Sequence, residues 1–252
     1  MSKRLQTMLD AALVVFALLV LWQIVHWFVG AEALSSPYQT IVAGAGLLAS
    51  PSFAQHLAYT GKGLAISFGI AILAGVPIGL ALGVLRFAGD VGEPLLASLY
   101  TIPKVTLYPI VLAVFGLGLS AKVAFGVMHA IIPMMLIIMG AVRAIKPVHL
   151  KTARTLRLSA WQTASHILLP SVLPDLVTAL RVGFSLSLLG VLVGEMFSSQ
   201  HGVGFLLIKG ITSFDVKTSI AITLMIVIFG VVTGALLLGF DRRLHHDQSS
   251  HH

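Results

Sequence analysis

Lys151-Thr-Ala-Arg-Thr-Leu-Arg-Leu-Ser-Ala-Trp-Gln-Thr-Ala-Ser-His-Ile-Leu-Leu-Pro170 is a basic, moderately amphipathic island in an otherwise largely apolar chain. Its apolar residues Ala153, Leu156, Ala160, Ala164 and Ile167 recur every three to four positions, the helical period. Ser159 and Gln162 have the spacing of a capping box, so a second short helix is predicted to start at Ser159. Helix, break and helix within one long polar loop describes a docking element rather than a plain connector.

Around this island the chain is built for lipid. Of its 252 residues, 57% are hydrophobic and 10% charged, and the mean hydropathy is +0.98. Soluble domains carry about 25% charged residues, so this composition predicts an all-α polytopic membrane protein. The formal charge of +7 is an orientation signal rather than a nucleic-acid footprint. The absence of cysteine excludes disulfides, thiolate metal sites and cysteine nucleophiles. The first apolar run is long enough to span and no small-residue cleavage site follows it, so no cleavable signal is expected. His245, His246, His251 and His252 are either metal-binding or a purification-tag remnant.

At about 20 apolar residues per crossing, six transmembrane helices are predicted, over 11–29, 61–85, 94–117, 121–142, 173–197 and 218–240. They form one transmembrane domain over 11–240, preceded by segment 1–10 and followed by a tail over 241–252. The polar stretch 31–59 is predicted to hold a short interfacial helix near 38–49. With the N-terminus inside, ten basic residues face the cytoplasm: Lys3, Arg4, Arg86, Arg143, Lys146, Lys151, Arg154, Arg157, Arg242 and Arg243. Only Lys122, Lys209 and Lys217 fall outside. That asymmetry predicts cytoplasmic N- and C-termini and a cytoplasmic loop over 143–172. Small residues recur at four-residue spacing in Ala71-Gly75-Gly79-Gly83, Gly126-Ala130, Gly190-Gly194 and Gly230-Gly234. Such rows let helices approach closely, either inside the bundle or across a subunit interface. No clear inverted repeat marks a secondary transporter.

The chemistry is sparse. Gly61-Lys62-Gly63 lacks the upstream glycine of a phosphate loop, and no His-Glu-x-x-His helix or dense acidic cluster is present. No catalytic residue and no metal site is expected, so the chain is not read as an enzyme. Charge inside a span is expensive and therefore informative. Lys104 lies between Pro103 and Pro109 among Tyr100, Thr101, Thr106 and Tyr108. It either draws an anionic or polar solute into a path, or snorkels or pairs with a neighbouring acid. Arg181 is read as snorkelling or capping carbonyls near the cytoplasmic face, and His129 as either a packing residue or a ligand. Glu195 is read as a structural hydrogen bond or a gate contact. Gly202-Val203-Gly204 reads as a re-entrant turn needing backbone freedom.

At this point the residues resemble a known family. Ala153, position 157 and Ile167-Leu-Leu-Pro170 have the spacing of the EAA loop of ABC-importer permeases, E-A-A-x-x-x-G followed by I-x-L-P. Ile102-Pro103, Pro109, Phe115-Gly-Leu-Gly118, Lys122, Pro170 with Pro174, Leu180-Arg181, Glu195 and Gly202-Val-Gly204 resemble its nitrate/sulfonate/taurine branch, from about residue 35 to 240. The resemblance implies a multi-pass permease subunit of the bacterial inner membrane, paired with a second copy. It implies two cytoplasmic ATP-binding subunits carrying ATP and magnesium, and a periplasmic solute-binding protein. Membrane lipid is a further expected partner, nucleic acid is not, and this chain itself is expected to hold no cofactor.

The element between spans 4 and 5 would be the coupling helix. Its residues Lys151, Ala153, Arg154, Arg157, Ser159, Trp161, Ile167 and Pro170 would contact the ATPase. Tyr100, Lys104, Thr106, Tyr108, His129 and Glu195 are the candidates for the translocation path. Two positions depart from the family pattern: Lys151 replaces its glutamate and Arg157 its glycine. Glycine turns freely into the left-handed region, whereas arginine does so at a cost of about 1–2 kcal/mol. Either Arg157 is strained or the loop turns in another way. The rival readings are a gradient-driven transporter or channel, favoured by intramembrane charge, and a non-transporting anchor for a soluble partner.

Overall fold

The computed structural model describes residues 3–146, 148 and 155–249, and among these every regular element is helical. α1 (Lys3–Val29) ends at Gly30, whose φ of 81° turns the chain. The expected short helix follows as α2 (Pro37–Leu48). Ser36 caps it by accepting the Gln39 amide, while the Gln39 side chain accepts the Ser36 amide and Pro37 pre-sets the first turn. The Trp22 indole donates to the Ser35 carbonyl at 2.9 Å, tying α1 to this connection.

α3 (Pro51–Val84) begins at Pro51 rather than at 61. Proline suits a first helical turn, and His56, inside the stretch read as polar, and the adjoining Thr60 find partners inside the protein. The predicted span over 94–117 is not one helix. α4 (Arg86–Thr101) stops at Ile102, a 3-10 turn covers Lys104–Leu107, and α5 (Tyr108–Phe115) leaves at 84° to α4. Pro103 explains the break: it brings no amide, and it drives Ile102 into an extended conformation at ψ 129°. Among the described residues, five helices are therefore long and apolar enough to cross a bilayer, or six if the bent pair counts as one crossing.

α6 (Leu119–Arg143) is the centre of the bundle. After it come α7 (Ala160–Thr163), a π turn over Ala164–Leu168, α8 (Leu169–Ser198), α9 (Val203–Thr212) and α10 (Val216–Ser249). α3 and α8 both press on α6 through small residues. A Cβ on Gly79 would sit 2.8 Å from the Met135 carbonyl oxygen, and one on Gly190 would sit 2.8 Å from the Gly126 Cα. In lipid there is no hydrophobic drive between helices, so such close approach supplies the dispersion contact that holds them. Gly230 and Gly234 differ: no described residue lies within 4 Å of where their Cβ would be. Leu64, Leu188, Leu192, Val203 and Ile222 join α3, α8, α9 and α10 in one apolar cluster.

Candidate functional site

Three sets of residues carry the features that set this bundle apart. In the basic loop, Lys151, Ala153 and Arg154 lie outside the described residues. Arg157 has φ 50°, the left-handed conformation that the glycine of the family pattern would take freely. Arginine therefore makes the same turn and bears the strain. Ser159 Oγ accepts the Gln162 amide at 3.2 Å, and Gln162 Oε1 accepts the Ser159 amide at 2.8 Å, so both halves of the capping box form and α7 starts at the next residue. Leu156 is exposed and Trp161 is 79% exposed, while Ile167 is half-buried and Pro170 exposed. The continuous helical stretch Trp161–Ser198 has 38 residues. At about 1.5 Å per residue it is longer than a hydrocarbon core of about 30 Å. A large exposed aromatic on a basic, polar element is the anchor type that dominates protein interfaces.

At the break after α4, Lys104 Nζ donates to the Tyr100 carbonyl at 3.0 Å and lies 4.4 Å from the centre of the Tyr100 ring. The ammonium thus occupies the C-terminal end of α4, where carbonyls lack helical partners and the macrodipole favours a cation. Thr106 Oγ1 donates to the Pro103 carbonyl at 2.7 Å. Tyr100, Lys104 and Thr106 therefore gather at one bend. Tyr108 does not join them: it is buried, with its hydroxyl donating to the Gly194 carbonyl at 2.7 Å and 2.6 Å from Ser198 Oγ. His129 is also buried, its Nδ1 bonded to the Phe125 carbonyl at 2.9 Å and its ring edge-on to Phe125.

Glu195 is 0% exposed and belongs to a third set. Both its carboxylate oxygens accept Thr60 Oγ1 at 2.9 Å, and Oε2 also accepts the Gly204 amide at 2.9 Å. Thr60 Oγ1 in turn accepts the Val203 amide at 2.8 Å. Gly202 has φ 105°, and a Cβ there would lie 2.2 Å from Glu195 Cδ, so this turn requires glycine twice over. Lys122, counted from sequence with the outer positive charges, is 0% exposed. Its ammonium donates to the Leu117 and Ser198 carbonyls, placing a cation on the C-terminal end of α8.

Sequence reasoning missed His56, Thr60 and the buried role of Lys122. The i, i+4 spacing of His56 and Thr60 was the available signal, hidden because the stretch looked too polar to be a span. It also missed a clamp at the opposite end of the bundle, where Arg143 pairs with Asp90 and with Glu93, each at 2.7 Å. Gly89 makes room for this guanidinium, because a Cβ there would lie 2.3 Å from Arg143 Nη2.

Comparison with known proteins agrees with this architecture. The family model described as binding-protein-dependent transport system inner membrane component matches residues 71–246. The chain is 30% identical to the formylaminopyrimidine transport permease protein ThiX of Halalkalibacterium halodurans, over 84% of this chain and 85% of that protein. It is 29% identical to the nitrate import permease protein NrtB of Synechocystis, over 77% and 74% of the two chains. It is 24% identical to the taurine transport system permease protein TauC of Escherichia coli, over 60% of this chain and 55% of that one. A solved chain of the MetNI methionine ABC transporter superposes with a TM-score of 0.61 at 17% identity, covering 74% of this chain and 93% of that one, which is a likeness of fold. The chain belongs to the binding-protein-dependent transport system inner membrane component family and is an ABC-importer permease of the nitrate, sulfonate and taurine branch.

Proposed function

We propose that this multi-pass chain is the transmembrane subunit of an ATP-driven importer for a small polar or anionic solute, of the sulfonate, taurine, nitrate or aromatic carboxylate type. Two copies form the pore in the bacterial inner membrane. Both termini and the 151–170 loop face the cytoplasm, and a periplasmic binding protein delivers solute to the Glu195 end. ATP and magnesium are held by two ATP-binding subunits, and this chain converts their closure into alternating access. The observation that carries the reading is the built turn and capped helix start of the loop: a left-handed turn at Arg157, a reciprocal Ser159–Gln162 cap, and Leu156 and Trp161 left exposed beside it. A plain connector needs none of these.

On this reading Lys104, over Tyr100 and beside Thr106, is the cation of the path. Tyr108, His129 and Glu195 support the path wall through their bonds to carbonyls, hydroxyl and amide rather than by meeting solute. The test is reconstitution of the chain with its co-purifying ATPase and binding protein in liposomes. Uptake is expected to require ATP and the binding protein together. Uptake driven by an ion gradient without ATP would replace this reading with a secondary carrier, and ATP hydrolysis without any uptake would leave a membrane anchor.

A further inference from the structure

The first amides of α9 are taken one by one by side chains of other helices. The Gly202 amide donates to His56 Nδ1 at 3.0 Å, the Val203 amide to Thr60 Oγ1 at 2.8 Å, and the Gly204 amide to Glu195 Oε2 at 2.9 Å. His56 and Thr60 stand one turn apart on α3, so a single face of that helix seats the start of α9. These amides are among those a helix cannot satisfy internally, and here α3 and α8 supply every acceptor.

Of the three acceptors, only the imidazole loses its one accepting lone pair to a proton near neutral pH, since a free histidine titrates near pH 6.5, whereas a carboxyl that takes a proton keeps a carbonyl oxygen for the Gly204 amide. Accepting at Nδ1 fixes the ring as neutral, with its proton on Nε2. A second proton would turn Nδ1 into a donor facing the Gly202 donor. It would also place a cation at a helix N-terminus, where the macrodipole is already positive. The groups facing His56 sharpen this. The His201 ring lies 6.0 Å away, Phe205 stacks at 5.9 Å, and the Lys209 ammonium shares the same side. Tyr59 lies against His201 at 5.7 Å. The nearby acid, Glu195, is already committed to Thr60 and Gly204. No free carboxylate among these groups is available to welcome an imidazolium.

We propose that His56 is an acid-released latch on α9: neutral, it holds the Gly202–Gly204 turn against α3, and protonated, it lets the turn go. The positive-inside rule puts this end of the bundle on the exterior, so the pH that matters is that of the outer compartment. The inference rests on the bond geometry of this chain and stands apart from the transport reading, so its test needs neither solute nor ATPase.

The test is hydrogen–deuterium exchange of the full chain in lipid nanodiscs, followed at the amides of 200–208 and corrected for intrinsic exchange rates. Wild-type protection is expected to fall about tenfold between about pH 7.5 and about pH 5. His56→Asn, whose Oδ1 stands near the place of Nδ1 and does not titrate, should keep its protection across that range. His56→Ala should be weakly protected throughout. His201→Gln should retain the acid loss, since the neighbour only tunes the latch. A flat wild-type profile overturns the proposal without any variant, and so does an acid loss that persists in His56→Asn or vanishes in His201→Gln.

Discussion

Arg157 makes a left-handed turn with a side chain that resists it, at a cost of about 1–2 kcal/mol. Glycine would remove that strain but lose about 0.5–1 kcal/mol through its more flexible unfolded chain, while a β-branched residue would add to the strain. Thermal unfolding should therefore rank Arg157→Gly at or up to about 1 kcal/mol above the native chain, with Arg157→Val below both. A Val variant as stable as wild type would show that the turn is not enforced. Glu195 presents the converse case, a buried carboxyl whose oxygens are answered by hydrogen bonds. Glu195→Leu should cost about 1–3 kcal/mol, because it strands the Gly204 amide and one role of the Thr60 hydroxyl. Glu195→Gln, which keeps one acceptor, should cost clearly less in the same unfolding measurement.

Single elements show where local sequence decides and where it cannot. The caps were legible: Ser159 with Gln162 announced α7, and the polar run before α3 held the expected short helix α2. The start of α3 was not legible, because His56 and Thr60 look like loop residues until α8 and α9 supply their partners, and those lie more than a hundred positions away. Lys104 was flagged with four hydroxyl neighbours, yet only tertiary packing could turn Tyr108 away from it toward α8. The break at Pro103 was visible as a proline but was read through, since an apolar run over 94–117 fits one crossing by length alone. α10 carries a pH signature of its own. Asp215 accepts the Thr218 amide at 3.1 Å, and the Thr218 hydroxyl and amide together hold its carboxyl below the usual carboxylate range. A depressed value means that the bond stabilises the folded chain above about pH 4 and fades as the pH falls through the lower, folded value. Asp215→Asn is expected to flatten that acid limb in unfolding curves while changing little at neutral pH, where a limb left unaltered would show that Asp215 is not its source.

At the scale of the molecule, α6 is the shared partner, met by the small residues of α3 and by Gly190 of α8. Around it the polar groups segregate to two ends, with His56, Thr60, Lys122, Glu195 and Ser198 at one and Asp90, Glu93 and Arg143 at the other. One feature joins these ends. From Ala160 to Ser198 the chain never leaves the helix, because the π turn at 164–168 widens it without breaking it. The residue beside the Ser159 cap and the carboxylate that seats α9 are thus carried on one strut, about 57 Å long at 1.5 Å per residue. With no hinge loop between them, Trp161 and Glu195 are expected to move together. Spin labels at 161 and 198 should hold one narrow separation with and without nucleotide in the assembled complex, while either label moves against a third on α6. A separation that broadens or splits would reveal the π turn as a joint.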